Sequence, residues 1–260
     1  MINSLYIAKT GMQAQQTQLD VISNNLANVS TNGFKRSTAV FQDLIYQNLR
    51  QVGANSTEQA TLPTGMQIGL GVSSVATSRS FAEGRLEQSA SNFDVAIDGQ
   101  GFFQVTMPDG TTGYTRDGKF EIDANGTMVT ATGLPVASGI TVPIGAKSVS
   151  ISGDGTVSAT LAGDTAPTNI GTIALARFIN PPGLTPLGGN LYAESAASGQ
   201  PDTTAPGTDG MGKLMQGFLE TSNVNVVQEL VSMIATQRAY ELNSKAIQTS
   251  DQMLQKLGQL

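Results

Sequence analysis

Apolar residues recur at helical spacing along the first 30 residues of the chain. From Leu5 to Val29 they lie alternately three and four positions apart, which predicts an amphipathic helix with a heptad seam. The Asn32-Gly33 pair is a predicted helix stop, because both residues tolerate the left-handed backbone conformation. The predicted N-terminal seam consists of Leu5, Ala8, Met12, Gln15, Leu19, Ile22, Leu26 and Val29.

Residues 223–260 show the same spacing, with Ser222 or Asn223 as the candidate N-cap. A second apolar face, which includes Leu242 and Met253, predicts that this helix contacts more than one neighbour. Periodicity leaves two structures open, a helical hairpin packed on its own domain and an interface for assembly. The predicted C-terminal seam consists of Val226, Leu230, Met233, Gln237, Tyr240, Ser244, Ile247, Asp251 and Leu254.

Turn pairs and strand-like runs alternate between the two helices. Runs such as Phe102–Met107, Thr112–Thr115 and Thr156–Leu161 follow one another with a turn signal about every ten residues, which predicts an antiparallel all-β domain. Residues 50–66 are polar and lack periodicity, which indicates an extended arm or loop. The turn pairs, which supply the positive φ angles of tight hairpins, are Asp98-Gly99, Asp109-Gly110, Asp117-Gly118, Asn125-Gly126, Asp154-Gly155 and Asp209-Gly210.

These patterns predict a mixed α and β protein. The N- and C-terminal helices are expected to form a coiled-coil domain, into which an antiparallel all-β domain and an extended arm are inserted. The expected divisions are a terminal helical domain (residues 1–32 and 223–260), a connecting region with the arm at residues 46–63 (residues 33–70 and 211–222), and a β-rich outer domain (residues 71–210).

The composition argues against several classes of function. The 260 residues include no Cys and no His, so disulfides, thiolate ligands and the commonest general base are missing. This favours a protein that is not an enzyme and that has no cofactor. The net charge is −6 and no basic stripe is present, which indicates that the chain does not bind nucleic acid. No cleaved secretory signal is expected at the N-terminus.

Carboxylate sites are the chemistry that this composition still permits. The run Asp123-Ala-Asn125-Gly126 resembles the start of a calcium loop, but the remaining ligands are missing, which favours a hairpin turn. Asp94 and Asp98 could be drawn as a pair for glycoside cleavage, but turn and strand-surface roles explain them better. We therefore predict no catalytic, metal or small-molecule site.

Several segments resemble the bacterial flagellar rod and hook proteins, the axial proteins of the flagellum. Residues 23–36 (SNNLANVSTNGFKR) resemble the N-terminal signature of that family, and residues 220–254 resemble its C-terminal half. Residues 95–105 and 114–120 resemble the core of its β-domain. The length and residues 46–63 most resemble its distal-rod members. The signature positions include Asn24, Asn25, Asn28, Asn32, Gly33 and Phe34.

The resemblance implies a structural subunit that polymerises with copies of itself into a rigid helical shaft and transmits motor torque across the periplasm to the hook. The implied partners are the proximal rod protein, the hook protein, the P-ring and L-ring proteins, the rod cap and the flagellar type III export apparatus. The implied location is the basal body, from the periplasm to the outer membrane, after export without signal cleavage.

The resemblance also assigns roles to residues. It implies that the terminal helices form the inner wall of the polymer and that the arm stiffens the shaft. The arm residues are Tyr46, Gln47, Arg50 and Pro63. The assembly residues on the two seams are Leu5, Met12, Leu19, Ile22, Leu26, Val29, Val226, Leu230, Met233, Tyr240, Ile247 and Leu254.

Other functions remain open at this point. A proximal-rod or hook subunit is the nearest alternative within the same family. A secreted carbohydrate-active protein would need clustered aromatic side chains for stacking on sugars, but the chain contains five Tyr and no Trp. A secreted adhesin with coiled-coil ends is a third alternative.

Overall fold

The computed structural model describes residues 2–50, 55–57, 60–61, 64–161 and 166–257. The chain divides into two compact units. Unit 1 comprises Met1–Ala27, Ser37–Ser78 and Asn225–Leu260, and unit 2 comprises Asn28–Arg36 and Arg79–Val224. No helix of the described residues combines the length and the apolar character that crossing a membrane requires.

The first helix, α1, spans Ile2–Ala27 and ends before the predicted stop at Asn32-Gly33. The residues that follow form turns: the Thr31 amide donates to the Asn28 carbonyl (3.2 Å), and the Phe34 amide donates to the Thr31 carbonyl (3.3 Å). Asn, Ser and Thr side chains compete for backbone groups and so favour turns over helix. Val29, a member of the predicted seam, therefore lies outside the helix.

The second helix, α2, spans Val226–Leu257. Its cap is Asn225, whose Oδ1 accepts hydrogen bonds from the amides of Val227 (3.1 Å) and Gln228 (3.3 Å). The predicted caps Ser222 and Asn223 are wrong because their side chains are engaged elsewhere. Ser222 Oγ accepts from the Val224 amide at 3.3 Å, and the Asn223 side chain binds backbone groups of unit 2.

The described residues from 37 to 79 form a long two-stranded ribbon. Antiparallel pairing joins β2 to β5, and β1 pairs with β6. Between these two pairs, the Leu44 amide donates to the Gly71 carbonyl at 2.9 Å, which continues the ribbon. The strands are β1 (Ser37–Asp43), β2 (Tyr46–Arg50), β3 (Asn55–Thr57), β4 (Ala60–Thr61), β5 (Met66–Gly69) and β6 (Val72–Arg79).

Unit 2 is built from antiparallel strands. Its largest sheet has the order β17-β18-β10-β9-β16-β19, and a three-stranded sheet has the order β13-β14-β15. Three further pairs are β11-β12, β20-β8 and β21-β7. The strands are β7 (Leu86–Gln88), β8 (Val95–Asp98), β9 (Phe102–Thr106), β10 (Thr112–Thr115), β11 (Phe120–Ile122), β12 (Met128–Thr130), β13 (Ala146–Ile151), β14 (Thr156–Leu161), β15 (Thr168–Thr172), β16 (Leu175–Arg177), β17 (Thr185–Gly188), β18 (Leu191–Ala193), β19 (Asp202–Thr204), β20 (Lys213–Gln216) and β21 (Phe218–Glu220).

The turn pairs confirm three predicted hairpins. Asp109-Gly110 joins β9 to β10, Asn125-Gly126 joins β11 to β12, and Asp154-Gly155 joins β13 to β14. In all three the glycine has positive φ. These turns close strands that bury their apolar faces in one core around Phe103, Phe120 and Leu175.

The other pairs do not close hairpins. Asp98-Gly99 and Asp209-Gly210 connect strands that pair with other partners. The prediction of positive φ at Gly118 is wrong: this glycine is required because a Cβ atom would lie 1.7 Å from the Val95 carbonyl oxygen. The Val95 amide donates to the Gly118 carbonyl at 3.0 Å, so the two backbones lie in direct contact.

The coarse fold class is confirmed. The chain has an N-terminal and a C-terminal helix, with an antiparallel β-rich region between them.

Candidate functional site

In unit 1 the fully buried positions of α2 carry polar side chains. Glu229, Thr236 and Ser250 are buried, and Asn243 lies on the same side because these positions recur every seven residues. A Cβ atom on Gly11 of α1 would lie 3.0 Å from Asn243 Nδ2, so α1 and α2 approach closely there. Close approach favours small and hydrogen-bonding side chains on this side of α2.

Asn25 of the signature joins three segments of unit 1. Its Nδ2 donates to the Ser37 carbonyl at 2.8 Å, and its Oδ1 accepts from the Ser37 amide at 2.9 Å. The same Nδ2 lies 3.4 Å from Glu229 Oε2 of α2. Asn25 and Glu229 are each 1% exposed, so this contact is shielded from water. The amide side chain therefore ties α1, the start of β1 and α2 together.

The opposite side of α2 presents large aliphatic side chains to solvent. An α-helix turns by about 100° per residue, so the apolar residues in the first turns of α2 form a stripe that points away from Glu229 and Thr236. The exposed fractions are 38% for Val226, 70% for Val227, 42% for Leu230, 62% for Val231 and 58% for Ile234. We call these five residues the outward patch. A contiguous exposed patch of this kind is typical of an interaction surface.

The predicted seam residues occupy different environments. Of the predicted assembly residues on α1, Ile22 is buried and four are half-buried, namely Leu5, Met12, Leu19 and Leu26. On α2, Met233 and Ile247 are half-buried, and Val226, Leu230, Tyr240 and Leu254 are exposed. Val29 belongs to unit 2 and is half-buried.

Three of the four predicted arm residues lie on the ribbon of unit 1. Tyr46, Gln47 and Arg50 belong to β2, every residue of which is exposed. Gln47 Oε1 accepts a hydrogen bond from Asn3 Nδ2 at 2.8 Å, and a hydrogen bond to Asp43 raises the pKa of Tyr46. Pro63 lies outside the described residues. A two-stranded ribbon exposed on both faces is only marginally stable alone.

The second half of the signature belongs to unit 2. We call residues 28–36 the strap. Phe34 is buried, and the Asn32 carbonyl accepts a hydrogen bond from Asn190 Nδ2 at 2.9 Å. Thr31 Oγ1 donates to Asn28 Oδ1 at 3.3 Å. Asn24, which precedes the strap on α1, is exposed.

Gly33 is the tightest point of the strap. Its φ is +68°, and a Cβ atom would lie 2.6 Å from the Asp117 amide nitrogen. Its amide donates to the Glu220 carbonyl at 2.8 Å. Both the backbone conformation and the space therefore require glycine.

Beside Gly33 lies a buried charge cluster that links the strap to two strands. Lys35 Nζ is 2.5 Å from Glu220 Oε1 on β21, and an Arg116 Nη atom just after β10 is 3.4 Å from Glu220 Oε2. The side chains of these residues are at most 3% exposed. Burial lowers the pKa of Lys35 and of Arg116, and attraction to Glu220 opposes this effect for both.

Sequence reasoning missed this cluster. Lys35 and Glu220 are 185 positions apart, and charged side chains are usually solvated, so no local pattern reveals their contact. The one available signal was that both residues fall within segments that resemble the family signatures.

The acidic positions considered for chemistry take structural roles. The Gly126 amide donates to the Asp123 carbonyl at 2.8 Å within the hairpin turn. Asp94 Oδ2 accepts a hydrogen bond from Ser89 Oγ at 2.5 Å. Within the described part of the chain, no group of three or more His, Cys, Asp or Glu side chains could hold a metal ion.

Three family models match separate parts of the chain. The model described as "Flagella basal body rod protein" matches residues 5–35, which carry α1 and most of the strap. The "Flagellar hook protein FlgE/F/G D1 domain" matches residues 96–159 of unit 2. The "Flagellar basal body rod FlgEFG protein C-terminal" model matches residues 215–260, which include Glu220 and α2.

Relatives match over the full length. The flagellar basal-body rod protein FlgG of Buchnera aphidicola subsp. Schizaphis graminum is 57% identical over 260 residues, which is 100% of both chains. FlgG of Buchnera aphidicola subsp. Acyrthosiphon pisum is 55% identical with the same coverage. FlgG of Borreliella burgdorferi is 48% identical over 98% of this chain and 97% of its own. The chain belongs to the FlgG family of flagellar basal-body rod proteins.

Proposed function

We propose that the chain is a structural subunit of the bacterial flagellar distal rod. Copies of it polymerise into a rigid helical shaft that transmits motor torque across the periplasm to the hook. The role is structural, and it involves no cofactor, nucleic acid or small-molecule substrate. Membership of the FlgG family and the outward patch on α2 support this function.

The outward patch is the observation that carries the proposal. Each of its five side chains is between 38% and 70% exposed, whereas the other side of α2 is already occupied within unit 1. Covering each side chain in a neighbouring copy would contribute on the order of 1 kcal/mol, so the patch would contribute about 5 kcal/mol per contact. A patch that meets a different surface of the next copy generates an open helical polymer.

The two helices are proposed to form the inner helical domain as a coiled coil, with residues 1–32 and 223–260 as its extent. Burial at Glu229, Thr236 and Ser250, which share one heptad phase, supports this pairing. Residues 33–70 and 211–222 would form the connecting region, and residues 71–210 would form the outer domain. The predicted seam residues that remain exposed, such as Leu230 and Tyr240, are proposed to contact other copies.

The arm at residues 46–63 is proposed to stiffen the shaft. Its strand β2 exposes Tyr46 (51%) and Leu49 (54%), and β5 exposes Met66 (55%). Apolar side chains on a ribbon with two solvated faces gain stability when a neighbouring copy covers them.

The proposed partners follow from this role. They are further copies of the chain, the proximal rod protein, the hook protein, the P-ring and L-ring proteins, the rod cap and the type III export apparatus. The proposed location is the basal body, from the periplasm to the outer membrane, after export without signal cleavage.

Charge introduced into the outward patch tests this function. In a flagellated strain that lacks its own copy, we expect Leu230→Asp to abolish rod assembly and swimming, because a neighbouring copy would have to bury the carboxylate. Leu187→Asp is the matched control, since Leu187 is 51% exposed on β17 of unit 2 and belongs to no predicted seam. Normal rods in the Leu230→Asp strain would refute the proposal.

A further inference from the structure

The strap is held by contacts with distant parts of unit 2. The Arg36 amide donates to Asn223 Oδ1 at 2.7 Å, and the Ser80 amide donates to the Arg36 carbonyl at 2.8 Å. Lys35 Nζ also donates to the Ala82 carbonyl at 2.8 Å. The strap contains no helix or strand of its own, so these contacts, together with those of Gly33 and Asn32, keep it in place.

Glu220 is the centre of these contacts. Its carbonyl accepts from the Gly33 amide, and its Oε1 accepts from Lys35 Nζ and from the Gly84 amide (2.8 Å). Its Oε2 faces Arg116, whose other Nη atom donates to the Gly99 carbonyl at 2.7 Å. Among the described residues, Glu220 is the one carboxylate in ion-pair contact with Lys35; Glu83 attracts both cations more weakly.

Burial of Lys35 without this carboxylate is unfavourable. The lysine side chain is 0% exposed, and the Arg116 guanidinium adds repulsion. A buried ammonium group is tolerated only when it is paired and hydrogen-bonded. The strap can therefore dock in its present position only when Glu220 is already in its place.

Glu220 lies on β21, the last strand of unit 2 along the chain. That strand is positioned by antiparallel pairing with β7, where Glu220 is opposite Leu86, and the Thr221 amide continues the contact by donating to the Arg85 carbonyl at 2.8 Å. The counter-ion of the strap is thus supplied by the opposite end of the sequence of unit 2.

We propose that Glu220 is a positioning residue that makes docking of the strap wait until β21 has paired with β7. A chain in which unit 2 is incomplete keeps residues 28–36 undocked, and completion of the C-terminal strand allows Lys35 to be buried. The device controls the order of folding, and it stands independently of the proposed function in the rod.

Hydrogen exchange on the full chain, measured by mass spectrometry, tests whether the docked strap depends on Glu220 in the folded protein. In Glu220→Gln we expect the amides of Gly33 and Arg36 to exchange at least about tenfold faster than in the wild type, because Lys35 loses its charged partner. The amides of β9 and β10 keep their rates within about twofold. The control is Glu87→Gln, an exposed carboxylate on β7 opposite Leu219, which leaves the strap unchanged. Unchanged strap exchange in Glu220→Gln, or acceleration of the strap and the β9–β10 amides by one common factor, would overturn the proposal.

Pulse-labelled refolding tests the order itself and does not depend on Glu220→Gln being able to fold. The reporter of strap docking is the Ser80 amide, which donates to the Arg36 carbonyl and needs no acceptor on or after β21. In the wild type, we expect this amide to gain protection together with or after the Thr221 amide, and never before it. In Lys35→Met the strap no longer carries a charge that Glu220 must neutralise, so protection of the Ser80 amide is expected to precede that of the Thr221 amide. Early protection of the wild-type strap, or an identical order in Lys35→Met, would contradict the proposed device.

Discussion

Gly33→Ala is the substitution that most sharply probes how the strap fits. The added methyl group meets two obstacles in unit 2. The backbone has a φ of +68°, and the new Cβ atom would lie 2.6 Å from the Asp117 amide nitrogen and 2.7 Å from the Arg116 carbonyl carbon. These neighbours are backbone atoms, so a side-chain rotation cannot relieve the contact.

The loss of unfolding free energy in Gly33→Ala has a backbone part and a packing part, and a matched glycine separates them. Gly110 has a φ of +81°, and nothing lies within 4 Å of its added Cβ atom, so Gly110→Ala reports the backbone conformation alone. That cost is about 1–2 kcal/mol. Overpacking adds about 1–3 kcal/mol, so Gly33→Ala should lower the free energy of unfolding by about 2–5 kcal/mol. The difference between the two variants measures the contact with the backbone at residues 116–117.

Urea unfolding followed by far-UV circular dichroism and tyrosine fluorescence supplies the comparison. The chain has no Trp. Tyr114 and Tyr192 are buried in unit 2, whereas Tyr6, Tyr46 and Tyr240 of unit 1 are exposed, so the change in tyrosine emission on unfolding comes chiefly from unit 2. A loss for Gly33→Ala that is no larger than the loss for Gly110→Ala would refute the close packing of the strap against Asp117.

Three further substitutions test other parts of the structure. Gln216 accepts a hydrogen bond from the Ile151 amide and donates to the Val149 and Asn92 carbonyls. Gln216→Ala should therefore lower the free energy of unfolding by about 1–3 kcal/mol. The control Gln200→Ala changes an exposed side chain and should have little effect. Asn225→Ala removes the cap of α2 and should cost about 1 kcal/mol, seen as faster hydrogen exchange in the first turn; unchanged exchange would contradict the capping role. Burial raises the pKa of Asp117. The stability that the Asp117 side chain contributes is therefore present below the ordinary aspartate pKa and is lost as the pH rises through the raised pKa. The stability of Asp117→Asn relative to the wild type should therefore increase with pH across that window in urea titrations, and a constant difference would contradict the burial effect.

Local signals were sufficient for the elements that depend on neighbouring residues. Asn125-Gly126 and Asp154-Gly155 predicted their hairpins because positive φ in a short turn determines which strands meet. Apolar periodicity was sufficient to predict the two long helices. It does not report the turn hydrogen bonds after Ala27, where α1 ends, or the Asn225 cap before Val226, where α2 begins.

The packing of α2 could not be read from its sequence. Apolar spacing selects the largest hydrophobic side chains as the buried seam, whereas the structure buries Glu229, Thr236 and Ser250 and exposes Leu230. The close approach at Gly11 leaves little room for large side chains, and Glu229 becomes acceptable inside because Asn25 lies within hydrogen-bond distance. Both effects require knowledge of the partner helix.

Contacts between distant segments were equally hidden. The ion pair of Lys35 with Glu220 depends on the pairing of β21 with β7, which no pattern near residue 35 encodes. The Asp117-Gly118 pair predicts a turn glycine, but the role of Gly118 is to let the carbonyl of Val95, which lies on β8, approach the backbone closely.

Assembly through the outward patch of α2 is tested most directly by a cryo-electron microscopy reconstruction of rods assembled from this chain. We expect Val227, Leu230, Val231 and Ile234 to be buried against a neighbouring copy in the polymer. A reconstruction in which these four side chains remain as solvent-exposed as they are in the single chain would contradict assembly through this surface.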